Sequence, residues 1–164
     1  MDENAWLAGL SADVDFIQIR ERGLNPRHLA RLVRRAMQVG PKILVNDRAD
    51  VALAMGAAGV HLRGNSVSPS KIRRIAPVGF VITIALHESE AAPVEADYAL
   101  LAPIFRPFSK LDRGEPLGIA GLRQATGLSK IPILALGGIT TENARQCMEA
   151  GAAGVAGITL FRRR

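Results

Sequence analysis

Residues 131–161, IPILALGGITTENARQCMEAGAAGVAGITLF, admit few folds. An apolar run at 131–136 is closed by Gly137-Gly138, and Thr140 or Thr141 then offers a helix cap with Glu142 in the first turn. In the helix that follows, Ala144, Cys147, Met148 and Gly151 recur at i, i+3, i+4 and i+7, one apolar face. A second apolar run at 154–161 comes directly after. Strand, glycine turn, helix, strand is a βαβ unit, whose two strands are parallel and buried on both faces. Ala135, Gly137 and Gly157 are small, while Leu134, Leu136, Ile158 and Leu160 are large. This alternation predicts large residues toward the helices and an inner side with room for a ligand at the strand ends. Backbone N–H groups bared by the glycines would lie beside it, the outline of a phosphate site.

The rest of the chain repeats the unit. A short helix is expected at 2–10 and a strand at 14–21, where Ile17 and Ile19 share one face and Gln18, Arg20 and Arg22 the other. A buried strand with a cationic face is expensive unless those groups meet a ligand. Asn25-Pro26 opens a helix whose stripe is Leu29, Leu32, Val33, Ala36 and Met37. Strands are expected at 42–45, 59–63, 80–86 and 98–105, and helices at 51–55, 69–75, 89–96 and 119–128, with a polar loop at 106–118. Seven strands alternating with helices leave a (β/α) barrel or an open doubly wound sheet. Polar residues sit at the ends of several strands: Arg20 and Arg22, Asn46 and Asp47, His87, Lys110, Thr159. Dispersion of that kind belongs to a barrel mouth, whereas an open sheet gathers its site at one switch point after a GxGxxG, which is absent. The expected fold is therefore α/β, a TIM-type (β/α) barrel, forming one domain over residues 1–164.

Charge narrows the partners. The net charge is +6 and the pI near 10.4, but Arg27, Arg31, Arg34 and Arg35 fall on the outer face of one amphipathic helix. Aromatics make up only 4% of the chain, too few for base-stacking platforms, so small phosphate esters are expected and nucleic acid is not. No apolar run is long enough to span a membrane. The start, MDENAWLAGL, has acids and no basic region, and Cys147 stands alone on a helical core face. A cytoplasmic protein without a catalytic thiol is expected.

Several pieces, taken in order, resemble the thiamine-phosphate synthase and TenI-like superfamily. They are Gln18-Ile19-Arg20-Glu21-Arg22, Asn46-Asp47-Arg48, Gly59-Val60-His61-Leu62 and Ala96-Asp97-Tyr98. Ala102-Pro103-Ile104-Phe105 with Ser109-Lys110 follows, then Gly137-Gly138-Ile139-Thr140 with Asn143. The resemblance implies small phosphorylated pyrimidine and thiazole ligands. By position, Gln18, Arg20 and Arg22 would hold a pyrophosphate, Asn46 would line the same site and Asp47 would hold Mg²⁺. Lys110 would close over the pyrophosphate as a catalytic group. Gly137, Gly138, Ile158 and Thr159 would bind the thiazole phosphate.

The same resemblance exposes departures. Ser66 stands where the synthases have a second Mg²⁺ carboxylate, Ala85 replaces a serine and Pro107 a threonine, while Arg22 replaces a lysine and Thr159 a serine. These tilt the reading toward a TenI-like thiazole tautomerase, which needs no metal and would use His87 as acid and base. The alternatives are the Mg²⁺-dependent synthase and a degenerate phosphate-ester binder. His61 is read as a packed, structural residue and His28 as a helix-surface one. The resemblance implies a first strand and a last helix that are expected to be absent here. Self-association as a homo-oligomer, or a plug formed by residues 1–13, is expected to cover the gap.

Overall fold

The computed structural model describes residues 14–21, 23–38, 40–87, 92–106, 115–158 and 160–161. These fall into two compact units that divide within one strand, residues up to Ile82 with Phe161 in the first and Thr83–Leu160 in the second.

The first unit contains β1 (Phe16–Ile19), α1 (Pro26–Ala36), β2 (Lys42–Asn46), α2 (Ala49–Met55), β3 (Gly59–Leu62), α3 (Pro69–Arg73) and the start of β4 (Val81–Leu86). Asn25 caps α1 by accepting a hydrogen bond from the His28 N–H at 3.0 Å, and Pro26 supplies a preset φ at the first position. Leu29, Leu32, Val33 and Ala36 are buried, but Met37, placed on that stripe from the sequence, is 40% exposed because the helix has already ended. Strands β1, β2 and β3 are parallel and register Gln18 beside Leu44, Leu44 beside Gly59 and Asn46 beside His61. Gln18, Leu44, Asn46, Gly59 and His61 therefore share one face, while Ile17, Ile19, Ile43, Val45 and Val60 share the other, fully apolar one. A Cβ at Gly59 would fall 2.0 Å from the Val81 carbonyl oxygen, so only glycine lets β3 start so close to that backbone.

The second unit contains the rest of β4, β5 (Tyr98–Leu101), α4 (Gly118–Leu128), β6 (Ile133–Leu136), α5 (Thr141–Glu149) and β7 (Gly154–Ala156). Here β4 to β7 pair in parallel and in sequence. Ile84, Leu86, Ala99, Leu101, Ile133 and Ala135 form the deeply buried face, and Ala85, Leu100, Leu134 and Leu136 lie half-buried on the opposite one. That reverses the expected parity of Ala135 against Leu134 and Leu136. Cys147 and Ala150 are the buried residues of the α5 region, whereas Met148 is 47% exposed, against the expected stripe.

Strand order follows chain order, β1 to β7, and every pair with a defined register is parallel. With a described helix between successive strands everywhere except β4 and β5, this is the order of a TIM-type (β/α) barrel. Three expected elements differ. The strand expected at 98–105 ends at Leu101, shortly before Pro103, which has no N–H to give a sheet. Residues 92–97 are a turn rather than the end of a helix at 89–96, with the Ala96 N–H on the Pro93 carbonyl at 3.1 Å; Pro93 lacks an N–H and disfavours helix before it. The strand expected at 154–161 ends at Ala156, because the chain turns at Gly157, where a Cβ would lie 2.8 Å from that of Leu160. Residues 1–13, expected as a helix or plug, lie outside the described residues.

Candidate functional site

In the first unit the polar residues gather where β2 and β3 end. Register places the half-buried Asn46 beside the buried His61, and the Asp47 N–H donates to the His61 carbonyl at 2.8 Å. Asp47 has φ +62°, a left-handed conformation that aspartate tolerates better than most residues. The turn turns its carboxylate toward the residues beyond β3. There the Arg63 guanidinium donates to Oδ2 and the Ser66 hydroxyl to Oδ1. The Arg63 backbone N–H donates to Ser66 Oγ at 2.8 Å, and the Ser66 N–H to the Arg63 carbonyl at 3.0 Å, which locks the turn that carries both partners. Burial pushes the Asp47 carboxyl up, but the Ser66 and Arg63 hydrogen bonds outweigh it and hold the pKa below the ordinary value.

Gln18, half-buried on β1, shares the face of Asn46 and His61, and Arg20 follows exposed at the strand end. Desolvation first, and the Arg20 charge second, lower the His61 pKa from 6.5 to about 4, so this histidine is neutral at physiological pH. It is 6% exposed, buried as expected. Asn46 Oδ1 is buried and accepts no hydrogen bond, an acceptor awaiting a donor.

In the second unit, Gly137 and Gly138 follow β6 with φ of +99° and +61°. Their missing side chains have a second cause. A Cβ at Gly137 would lie 2.9 Å from Pro103, and one at Gly138 2.7 Å from the Arg106 carbonyl oxygen. The backbone of 103–106 is thus pressed against this turn, with Ile104 N–H on the Leu136 carbonyl at 2.9 Å and Phe105 N–H on the Gly137 carbonyl at 3.0 Å. Among the described residues, the Gly137 and Gly138 N–H groups find no acceptor. The helix after them is capped internally: Thr140 Oγ accepts from the Asn143 N–H, Asn143 Oδ1 accepts from the Thr140 N–H at 2.8 Å, and Asn143 Nδ2 donates to the Gly138 carbonyl at 2.9 Å. Glu142 occupies the first turn as well. Beside this capped helix start, the Gly137 and Gly138 N–H groups remain as donors on the glycine turn.

His87 lies just beyond β4, exposed, with Nδ1 3.3 Å from the Ala102 carbonyl oxygen. Ile158 sits beyond β7 in a bend and is 75% exposed, so it does not belong to a strand end as expected. Arg22, Lys110 and Thr159 lie outside the described residues. The sequence reading missed Arg63 and Ser66 as partners of Asp47. The available signal was their place just past the end of β3, level with Asn46-Asp47 in the parallel register.

Parallel strands in chain order, with helices following most of them, define a TIM-type (β/α) barrel protein. The chain belongs to the thiamine monophosphate synthase family, whose sequence model matches residues 3–161. It is 36% identical over 160 residues to the putative thiamine-phosphate synthase 2 of Aquifex aeolicus, covering 93% of this chain and 85% of that one. It is 39% identical over 163 residues to the thiamine-phosphate synthase of Methanoculleus marisnigri, covering 93% and 77%. A solved thiamine phosphate pyrophosphorylase from Pyrococcus furiosus superposes with a TM-score of 0.78 at 26% identity, over 96% of this chain and 79% of that one. Among the described residues no helix is long and apolar enough to cross a membrane.

Proposed function

We propose that the chain is a thiamine-phosphate synthase, coupling a pyrimidine pyrophosphate to a thiazole phosphate with release of pyrophosphate. One observation carries the reading: synthases match it at 36–39% identity along nearly its whole length, including the β1 segment with Gln18 and Arg20. The tautomerase, favoured by the departures in sequence, has less support, since the relatives compared bear the synthase name.

In this reading Arg20 and Gln18 bind the pyrophosphate, joined by Arg22 and Lys110. Positive charge fixed there stabilises the negative charge that develops as the pyrophosphate leaves. Asn46 Oδ1 can only accept, so it suits a donor on the heterocycle rather than the anion. The glycine turn takes the thiazole phosphate through the Gly137 and Gly138 N–H groups, which holds the nucleophile in place.

Synthases of this family depend on Mg²⁺, with Asp47 at the position of a carboxylate ligand. The residues present do not fit that ion. Both Asp47 oxygens are engaged by protein donors, the second acid is Ser66, and no described group of three His, Cys, Asp or Glu side chains is arranged to hold a metal.

The test is to incubate the purified chain with both substrates and measure thiamine phosphate and pyrophosphate, with a parallel incubation of the thiazole phosphate carboxylate alone. Coupling is expected, and Arg20→Ala should lower kcat/KM by roughly 10²-fold or more. Isomerisation without coupling, or binding without turnover, would sink the proposal.

A further inference from the structure

We infer that the Arg63 guanidinium is a resident cation that replaces a divalent metal at Asp47. The inference concerns the pyrophosphate end of the site and rests on the synthase reading for what that end binds, though its test does not.

The geometry is a closed ring across two strand ends. The Arg63 side chain donates to one Asp47 oxygen, the Ser66 hydroxyl to the other, and the Arg63 backbone N–H to Ser66 Oγ. A hard divalent cation needs several oxygen ligands, and here the one carboxylate has both oxygens taken. Ser66 spends its hydroxyl proton on Asp47 and its oxygen on the Arg63 N–H, so it offers a metal little. The Arg63 side chain is 43% exposed while paired, and among the described residues its only charged partner is Asp47. Its guanidinium has five N–H donors, so donors remain for a planar or tetrahedral anion. A metal would have to displace a cation already seated on its ligand. Arg63 supplies positive charge in the same place without metal, in a geometry that Asp47 fixes through its left-handed φ and its bond to His61.

Mn²⁺ titration followed by electron paramagnetic resonance decides the matter without any activity. The unaltered chain should show no saturable Mn²⁺ site below roughly 1 mM, and neither should Asp47→Asn. The pair Arg63→Gly with Ser66→Asp should create a site at least roughly tenfold tighter, lost again when Asp47→Asn is added. A saturable site in the unaltered chain that Asp47→Asn abolishes would overturn the inference. So would failure of the Arg63→Gly, Ser66→Asp pair to gain a site while its circular dichroism spectrum stays that of the parent. Pyrophosphate titration in EDTA is the second arm: binding is expected, with Arg63→Gln weakening it at least roughly tenfold and Arg63→Lys less. Unchanged affinity in Arg63→Gln would overturn the inference. No pyrophosphate binding to the unaltered chain in either EDTA or Mg²⁺ would sink the synthase reading, while the Mn²⁺ result would still decide the role of Arg63.

Discussion

Gly138 combines two demands that a single methyl group would violate. Its φ of +61° disfavours any side chain, and its Cβ position lies 2.7 Å from the Arg106 carbonyl oxygen and 2.8 Å from the Phe105 carbonyl carbon. Gly56 shares the first demand, with φ +67°, but has open space around it. Gly138→Ala should therefore cost more stability than Gly56→Ala, whose strain alone is about 1–2 kcal/mol. Only the Gly138 change should also weaken phosphate-ester binding, because it displaces the N–H groups of the turn. Urea unfolding and calorimetric titration of the two variants separate these effects. His87 poses a different question. If the chain is a synthase, His87→Ala should change turnover by no more than a few-fold. A loss of roughly 10²–10⁴ would mean that an imidazole moves protons, and would return the tautomerase reading to first place.

Helix α5 shows what one element can hold in place. Thr140 and Asn143 cap each other reciprocally, and Asn143 reaches back to the Gly138 carbonyl, so the cap also braces the glycine turn. Thr140→Ala should cost about 1 kcal/mol. Asn143→Ala should cost more and lower phosphate-ester affinity too, and a double-mutant cycle should show that the two costs do not add. A phosphate affinity untouched by Asn143→Ala would show that the turn stands without its brace. The start of this helix was legible because threonines stand just past a glycine pair; its partner was not, since the acidic Glu142 in the first turn is as natural a helix-start residue as Asn143. Strand faces were legible where polarity alternates, as in Phe16-Ile17-Gln18-Ile19. In Ile133-Leu134-Ala135-Leu136 every residue is apolar, and residue size alone gave the wrong side. The Asp47 ring was hidden for another reason: its partners stand 16 and 19 residues away, and only the parallel register of β2 and β3 brings them together.

For the whole molecule, acid is the condition that the buried groups resist most. His61 is neutral in the folded chain, with its pKa lowered to about 4 by burial and then by Arg20, against 6.5 when unfolded. Between those values the unfolded state binds the extra proton, so stability is full above pH 6.5, falls as pH drops toward 4, and levels off below. The accumulated loss is about 3 kcal/mol, a sizeable part of a domain's usual 5–15 kcal/mol. Asp47 acts in a separate window. Its pKa is lowered from 3.8, so its contribution is intact throughout the His61 range and is lost only below it. Unfolding free energies from urea titrations at pH 7.5, 6.5, 5.5 and 4.5 should therefore decline in the parent chain, steepest below pH 6.5. In His61→Gln the decline over that range should flatten, whatever the variant's stability at pH 7.5, because a glutamine has no proton to gain. Equal slopes in the two chains would mean that His61 takes up its proton as readily folded as unfolded, and that the face it shares with Gln18 and Asn46 is wetter than its 6% exposure implies.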